Sequence, residues 1–222
     1  MAEKKERKRK ATILWYSQTG QSHACAVSAK EGLEHAGMEA RLVALQKAKP
    51  GDLEVDLLVF AFPVFVFRPP NAVRGFVAGM PRLSARPKVL AIITYSGWPA
   101  NTGWLFARML EQRGLALDDY LGVRCRDSYI PFVKVLPFMN DATRPDSGSL
   151  ARVARFATEA VHGTRKPKKP FFNPLDPAHW AGALTDERAA RLFLGRREHE
   201  PNLCTQCGWC ATLCPTGAIT AC

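Results

Sequence analysis

Short apolar runs alternate with mixed stretches over the first 163 residues. Ile13-Leu14-Trp15-Tyr16 stops at Ser17-Gln18-Thr19-Gly20, and good helix formers then run to a stop at Gly37. This spacing predicts strand, loop and helix. Arg41-Leu42-Val43-Ala44-Leu45 predicts a second short strand. Asp56 to Phe62 is almost continuously apolar, as expected of a central parallel strand covered on both faces. Pro70 suits a first helical turn and predicts a helix over residues 71–79. Val89 to Thr94 reads as a fourth strand, and Thr102 to Arg113 as a helix closed by Gly114. Residues 117–125 give a fifth, more polar strand, and residues 149–162 a helix ending at Gly163. The alternation predicts an α/β fold, a doubly wound parallel five-stranded sheet with helices on both faces.

The ends of the chain break this pattern. Residues 1–10 carry six basic and two acidic side chains and no apolar periodicity, which predicts a disordered basic tail. Residues 11–163 form the α/β domain. Residues 164–202 open with Thr164-Arg165-Lys166-Pro167-Lys168-Lys169-Pro170, a linker or solvated strap, and suit a short helix at 184–194. The last segment, 203–222, is rich in cysteine. A length of 222 residues fits one ordinary domain with a small appendage, and 47% apolar residues is a globular composition.

No stretch approaches the ~20 apolar residues that span a bilayer, and no signal peptide follows the basic start, so a cytoplasmic protein is expected. Five of the seven cysteines fall between Cys204 and Cys222, whereas a disulfide scaffold would spread them. That bunching points to a reducing compartment and metal ligation. Cys25 and Cys125 read as buried small apolar residues.

Ser17-Gln18-Thr19-Gly20-Gln21-Ser22 joins the first strand to the first helix. Helix N-termini present unpaired N–H groups and partial positive charge, which suits phosphate. Gly20 permits close backbone approach, and the hydroxyls of Ser17, Thr19 and Ser22 can donate to phosphate oxygens. Serine and threonine also cap helices and glycine makes turns, so the hexapeptide alone leaves both roles open. It is neither GxxxxGK nor GxGxxG.

Tyr16 to Ser22 resembles the FMN-phosphate loop of flavodoxins, Ser/Thr-x-Thr-Gly-x-Thr, with Ser22 keeping the last hydroxyl. The resemblance implies the flavodoxin-like strand order 2-1-3-4-5. Ligands of such sheets bind at the carboxyl ends of the strands, between the first and third. The flavin ring would then lie between Pro63-Val64-Phe65 after the third strand and Thr94-Tyr95-Ser96-Gly97-Trp98 after the fourth. Phe65 and Trp98 are the candidates to stack on it, against the alternative of ordinary core or surface aromatics.

Cys204-x2-Cys207-x2-Cys210-x3-Cys214-Pro215 matches the bacterial ferredoxin pattern and identifies a ferredoxin-like iron–sulfur segment for a 4Fe-4S cluster. Zinc sites more often separate two C-x2-C pairs by a longer loop. In two-cluster ferredoxins the fourth cysteine ligates the other cluster. Three readings remain open: a truncated sequence that once carried a second cluster, a single site completed by Cys214 or Cys222, or a ligand from elsewhere. Truncation is the favoured expectation, because half a ferredoxin has little core.

Together these features resemble flavodoxin–ferredoxin fusion proteins, loosely over residues 11–163 and tightly over 203–219. The resemblance implies an intracellular electron carrier that exchanges electrons between FMN and a cluster and serves a redox partner protein. The alternative is a catalytic flavin oxidoreductase reducing a small molecule; no convincing acid–base pair supports it, and His23 reads as a solvated first-turn residue. A third reading, a flavin-free binder of nucleic acid, rests on the net charge of +11. Most of that charge lies in residues 1–10 and in Arg165, Lys166, Lys168 and Lys169, without interleaved aromatics. Nucleic acid is therefore not expected, and an acidic redox partner steered by the tail and linker is.

Overall fold

The computed structural model describes residues 7–127, 145–184, 200–214 and 217–220. Five parallel strands, β1 (Lys10–Trp15), β2 (Glu39–Ala44), β3 (Leu57–Pro63), β4 (Lys88–Tyr95) and β5 (Asp119–Arg124), form one sheet in the order β2-β1-β3-β4-β5. Four helices cross over between strands or follow the last: α1 (Gln21–His35), α2 (Asn71–Gly79), α3 (Thr102–Glu111) and α4 (Ser147–His162). Two shorter ones, α5 (Pro177–Leu184) and α6 (Trp209–Thr212), come later in the chain.

Strand alternation sorts the core into two layers. Ile13, Val59, Ala61, Leu90, Ile92 and Val123 face α1 and α4. Leu14, Leu58, Phe60, Phe62, Ala91 and Ile93 face α2 and α3. Both faces of β3 and β4 are therefore buried, which is why residues 57–62 and 89–93 are apolar without interruption. The α1–α4 contact is close: Thr158 Oγ1 donates to Gly32 O at 2.8 Å, and Ser28 Oγ to Leu150 O at 2.7 Å.

The ends of the elements move from their sequence expectations by a few residues. β1 starts at Lys10, inside the stretch read as a tail, because Asp56 captures it. Lys10 N donates to Asp56 Oδ2 at 2.7 Å, Asp56 N donates to Lys10 O at 3.0 Å, and Arg7 pairs with the same carboxylate at 3.1 Å. Residues 1–6 lie outside the described set, as does most of the helix expected over 184–194; the helix that is described there, α5, ends at Leu184.

The basic strap is anchored. Asp119, 3% exposed at the start of β5, accepts from Arg165 Nε at 2.9 Å and from Lys168 N at 2.8 Å. Lys169 Nζ donates to Leu117 O at 3.1 Å, and Arg165 also lies over the Phe156 ring, 5.1 Å from its centre. Farther on, buried Asn101 exchanges two 2.9 Å hydrogen bonds with the Asn173 backbone, while Phe172 packs on Trp104 of α3. Residues 165–173 thus run across α3 and the β5 edge as a bound strap.

Two predictions follow from this packing. A Cβ added at Gly32 would overlap the backbone carbonyl of Ala154, whereas one added at Gly75 meets open space. Urea melts should show Gly32→Ala losing about 3 kcal/mol and Gly75→Ala holding or gaining up to about 1 kcal/mol. The Lys10 N–H bond, with help from Arg7, holds the Asp56 carboxyl below the usual carboxylate range. Its stabilisation is complete above about pH 4 and is lost as pH falls through the lower folded-state value. Acid titration of stability should therefore show wild type and Asp56→Asn converging below that pH.

Candidate functional site

The strand order reverses between β1 and β3, so the loops leaving these strands part at their carboxyl ends and open a crevice. The first wall is the β1–α1 loop. Tyr16 continues the β1–β3 pairing by one residue, donating from N to Ala61 O at 2.9 Å, and its side chain is buried. Gly20 then takes φ 85°, a left-handed conformation that favours glycine, and serves as the N-cap of α1 with no side-chain cap. Gln18, Thr19 and Gly20 are exposed, and Ser17 Oγ accepts from Gly20 N at 3.0 Å. The free N–H groups at the start of α1 thus face the crevice without a protein oxygen capping them.

The six loop residues do different work. Ser22 is 1% exposed and its Oγ lies 2.8 Å from Oγ1 of Thr94, itself buried at the end of β4. That bond joins α1 to the β4 loop, so Ser22 holds the site together from beneath. Gln21 Nε2 donates to Arg126 O at 3.0 Å and reaches Thr19 Oγ1 at 3.3 Å, tying the loop to the chain beyond β5. Gln18 Nε2 donates to the Tyr16 hydroxyl at 3.1 Å.

The second wall is the β3–α2 loop. Pro63 pairs with Thr94 in register, and Val64 N donates to Thr94 O at 2.8 Å. Phe65 and Arg68 exchange two backbone hydrogen bonds of 3.0 Å around Val66 and Phe67, whose φ angles are 46° and 63°. Two successive left-handed residues make a tight reversal of the I′ kind. For a β-branched valine and a phenylalanine this costs about 1–3 kcal/mol each, strain of the sort found at ligand-binding loops.

The third wall is the β4–α3 loop. Ser96 Oγ donates to Asp127 Oδ2 at 2.7 Å, and Arg124 Nε donates to Ser96 O at 3.0 Å. Tyr95 and Gly97 are partly buried, while Trp98 is 46% exposed. The aromatics of these loops also pair with one another. Trp98 stacks on Phe67, with centroids 5.4 Å apart, and Phe65 packs edge-on to Tyr16 at 6.2 Å. Phe67 had no signal in the sequence beyond its place in an aromatic-rich loop. His23 lies against Trp15 at 4.4 Å, a partner hidden by its position in the preceding strand.

Two buried polar atoms of these loops lack a partner among the described residues, Gln21 Oε1 and Arg68 Nε. Burial, with repulsion from Arg74, lowers the Arg68 pKa. A polar ligand carrying both donors and acceptors would satisfy such atoms. With the uncapped α1 N-terminus and the aromatic edges, the crevice fits a phosphorylated, ring-bearing cofactor of the FMN type.

The cysteine run is the fourth component. Cys204, Cys207 and Cys210 are exposed and Cys214 is partly buried. Gln206 and Gly208 take φ 55° and 71°, so the chain curls around the first two thiols. Gln206 N donates to Cys204 Sγ at 3.4 Å. Cys207 is lowered from the usual thiol range by the Trp209 backbone N–H and by Thr205. A sulfur that receives a backbone N–H, as Cys207 does, is favoured as a thiolate, and four cysteines within eleven residues suit an iron–sulfur cluster. Among the described residues no three such side chains converge on one metal-sized point. Pro215 and Cys222 lie outside the described residues. The negative charge of Cys214 also raises the Tyr16 hydroxyl, after burial and against the Gln18 bond, so Cys214 is within electrostatic reach of the β1–α1 loop.

Cys25 and Cys125 are 0% and 3% exposed in the α1–α4 core layer. Their hydrogen bond to each other, followed by burial, pushes Cys25 up, and both side chains pack in the core.

Residues 198–220 match the model of the 4Fe-4S binding domain, five residues wider at its start than the cysteine segment read from sequence. Among solved structures, a flavodoxin from the domain Archaea covers 69% of this chain and 99% of its own length, at 17% identity and TM-score 0.50. Streptococcus pneumonia TIGR4 flavodoxin covers 70% and 99%, at 14% identity and TM-score 0.52. The chain joins a flavodoxin-like fold to a 4Fe-4S binding segment. An azoreductase from Bacillus anthracis aligns as well, covering 68% and 99% at 11% identity and TM-score 0.50, so the flavodoxin-like fold by itself does not separate carrier from enzyme. No curated protein matches the chain in sequence. No helix among the described residues is long and apolar enough to cross a membrane.

The Ser22–Thr94 bond gives a test of how the flavodoxin-like crevice is held. Thr94→Val leaves a buried hydroxyl unpaired and should cost about 1–3 kcal/mol in a urea melt. Combining it with Ser22→Ala should recover part of that loss, because both polar groups are then gone.

Proposed function

We propose that the chain is an electron-transfer protein that holds FMN in the crevice between the β1, β3 and β4 loops and a 4Fe-4S cluster on the cysteine run. The observation that carries this reading is their union in one chain: an uncapped helix N-terminus at the switch point of a flavodoxin-like sheet, and a run matched by the 4Fe-4S binding domain. When bound, FMN carries one or two electrons and the cluster carries one.

The residues divide the work. The N–H groups opening α1, with Ser17 and Thr19, bind the phosphate. Ser22 and Thr94 fix the distance between the β1 and β4 loops. The 63–65 backbone and the 94–98 loop bracket the ring, and Trp98 and Phe67 screen it from water. Cys204, Cys207, Cys210 and Cys214 are the metal ligands. A soluble redox partner in the cytoplasm accepts or supplies the electrons.

Protein prepared without oxygen should contain FMN, iron and acid-labile sulfide. Ser17→Ala with Thr19→Ala should lose FMN and keep iron, while Cys204→Ser with Cys207→Ser should do the reverse. Absence of flavin from gently prepared wild-type protein would overturn the reading. Turnover of a small acceptor that needs no partner protein would move it to a catalytic oxidoreductase.

A further inference from the structure

A groove of about 540 Å³ runs along the outer side of β5, from Tyr95 and Pro99 of the β4–α3 loop to the strap. One wall is α4, with Arg152 and Arg155 exposed three residues apart on the same face. The other is the strap, with Lys168 exposed and Arg165 held on Asp119. Glu159 is the acid of the lining and stands 3.9 Å from Arg155. Arg152 and Lys168, on opposite walls, form no salt bridge among the described residues. The groove is therefore cationic on both sides.

Its floor is a strand edge. β5 has β4 on one side and, among the described residues, no strand on the other. Cys125 N donates inward to Tyr95 O at 2.7 Å, so by alternation the N–H of Gly122 points outward into the groove. Gly122 lets the Tyr95 ring lie against this part of β5, where a Cβ would meet it at 3.0 Å. The strap crosses the edge at Asp119, which also takes the Tyr120 N–H. The part of the edge around Gly122 lies open between the two cationic walls and suits a short extended acidic segment, with main-chain bonds to the strand and carboxylates to the walls. A compact ligand would leave one wall unpaired.

We infer that the β5 edge groove is the docking site for an acidic polypeptide segment of a partner protein, taken up as an added strand. Tyr95 and Pro99 bring the occupant beside the loop proposed to hold the flavin ring. Binding itself does not depend on flavin or cluster, so its failure is separable from failure of the proposed function.

The test is fluorescence anisotropy of a labelled oligoglutamate peptide with the full chain at low salt. Arg152→Gln with Lys168→Gln should weaken binding by about tenfold or more. Arg82→Gln with Arg86→Gln, which removes the same charge from an exposed loop elsewhere, should leave it within about twofold. A peptide of equal charge, N-methylated at every residue, should bind at least about tenfold less well, because neither of its edges can donate to the strand. Equal loss in both double variants, or equal binding of the methylated peptide, overturns the inference. So does an oligothymidylate that binds more tightly than the peptide and loses affinity in the same groove variant.

Discussion

A parallel strand cannot be followed directly by its neighbour; the chain must cross the sheet through a covering layer before the next strand begins. In this protein the crossovers first carry the chain from β1 outward to β2 and then back past β1 to β3. The reversal separates the loops at the carboxyl ends of β1 and β3, and the crevice between them is where the first N–H groups of α1 have, among the described residues, no side-chain cap. The requirement that both faces of β3 and β4 be covered fixes α1 and α4 on one side and α2 and α3 on the other. The crevice, its uncapped helix and its three loops are consequences of that layering.

The same constraint explains which residues hold the loops and which remain free. Ser22 and Thr94 are buried because they sit where α1 descends onto β4, and their mutual bond removes two polar groups that would otherwise be costly. Ser17, Thr19 and Gly20 lie in the loop just before the helix, where Ser17 Oγ takes the Gly20 N–H and Gln21 Nε2 reaches Thr19 Oγ1. On the next loop, the tight reversal at Val66 and Phe67 is sustained by two backbone bonds and by the Phe67–Trp98 stack. A rigid base and a strained rim meet at the same end of the sheet.

Much of this was legible in the sequence because it is written in local pattern. The strand from Leu57 and the one from Lys88 are continuous apolar runs, the helix over 71–79 follows a proline, and glycines 114 and 163 close helices with φ of 76° and 69°. The cysteine spacing needs no tertiary information. What pattern could not reveal were pairings made at long sequence separation. Asp119 looks like an ordinary polar residue at a strand start until Arg165 and Lys168 arrive from 46 and 49 residues away. Asp56 likewise draws Lys10 into a strand that the charge of the N-terminus argued against. The Phe67–Trp98 stack was hidden for the same reason: the reversal that presents Phe67 to Trp98 needs positive φ at residues whose side chains disfavour it.

The clamp on Asn173 has a consequence for the tether between the two halves of the molecule. Composition alone would begin the free linker at Gly163, but the strap is bound through Asn173, so ten residues are withdrawn from it. Extended chain spans at most about 3.5 Å per residue, so the cysteine run loses roughly 35 Å of reach. The largest distance at which the run can stand from the sheet is shorter by that amount. Asn101 and Asp119, residues of the α/β core, thereby set the point from which that distance is measured.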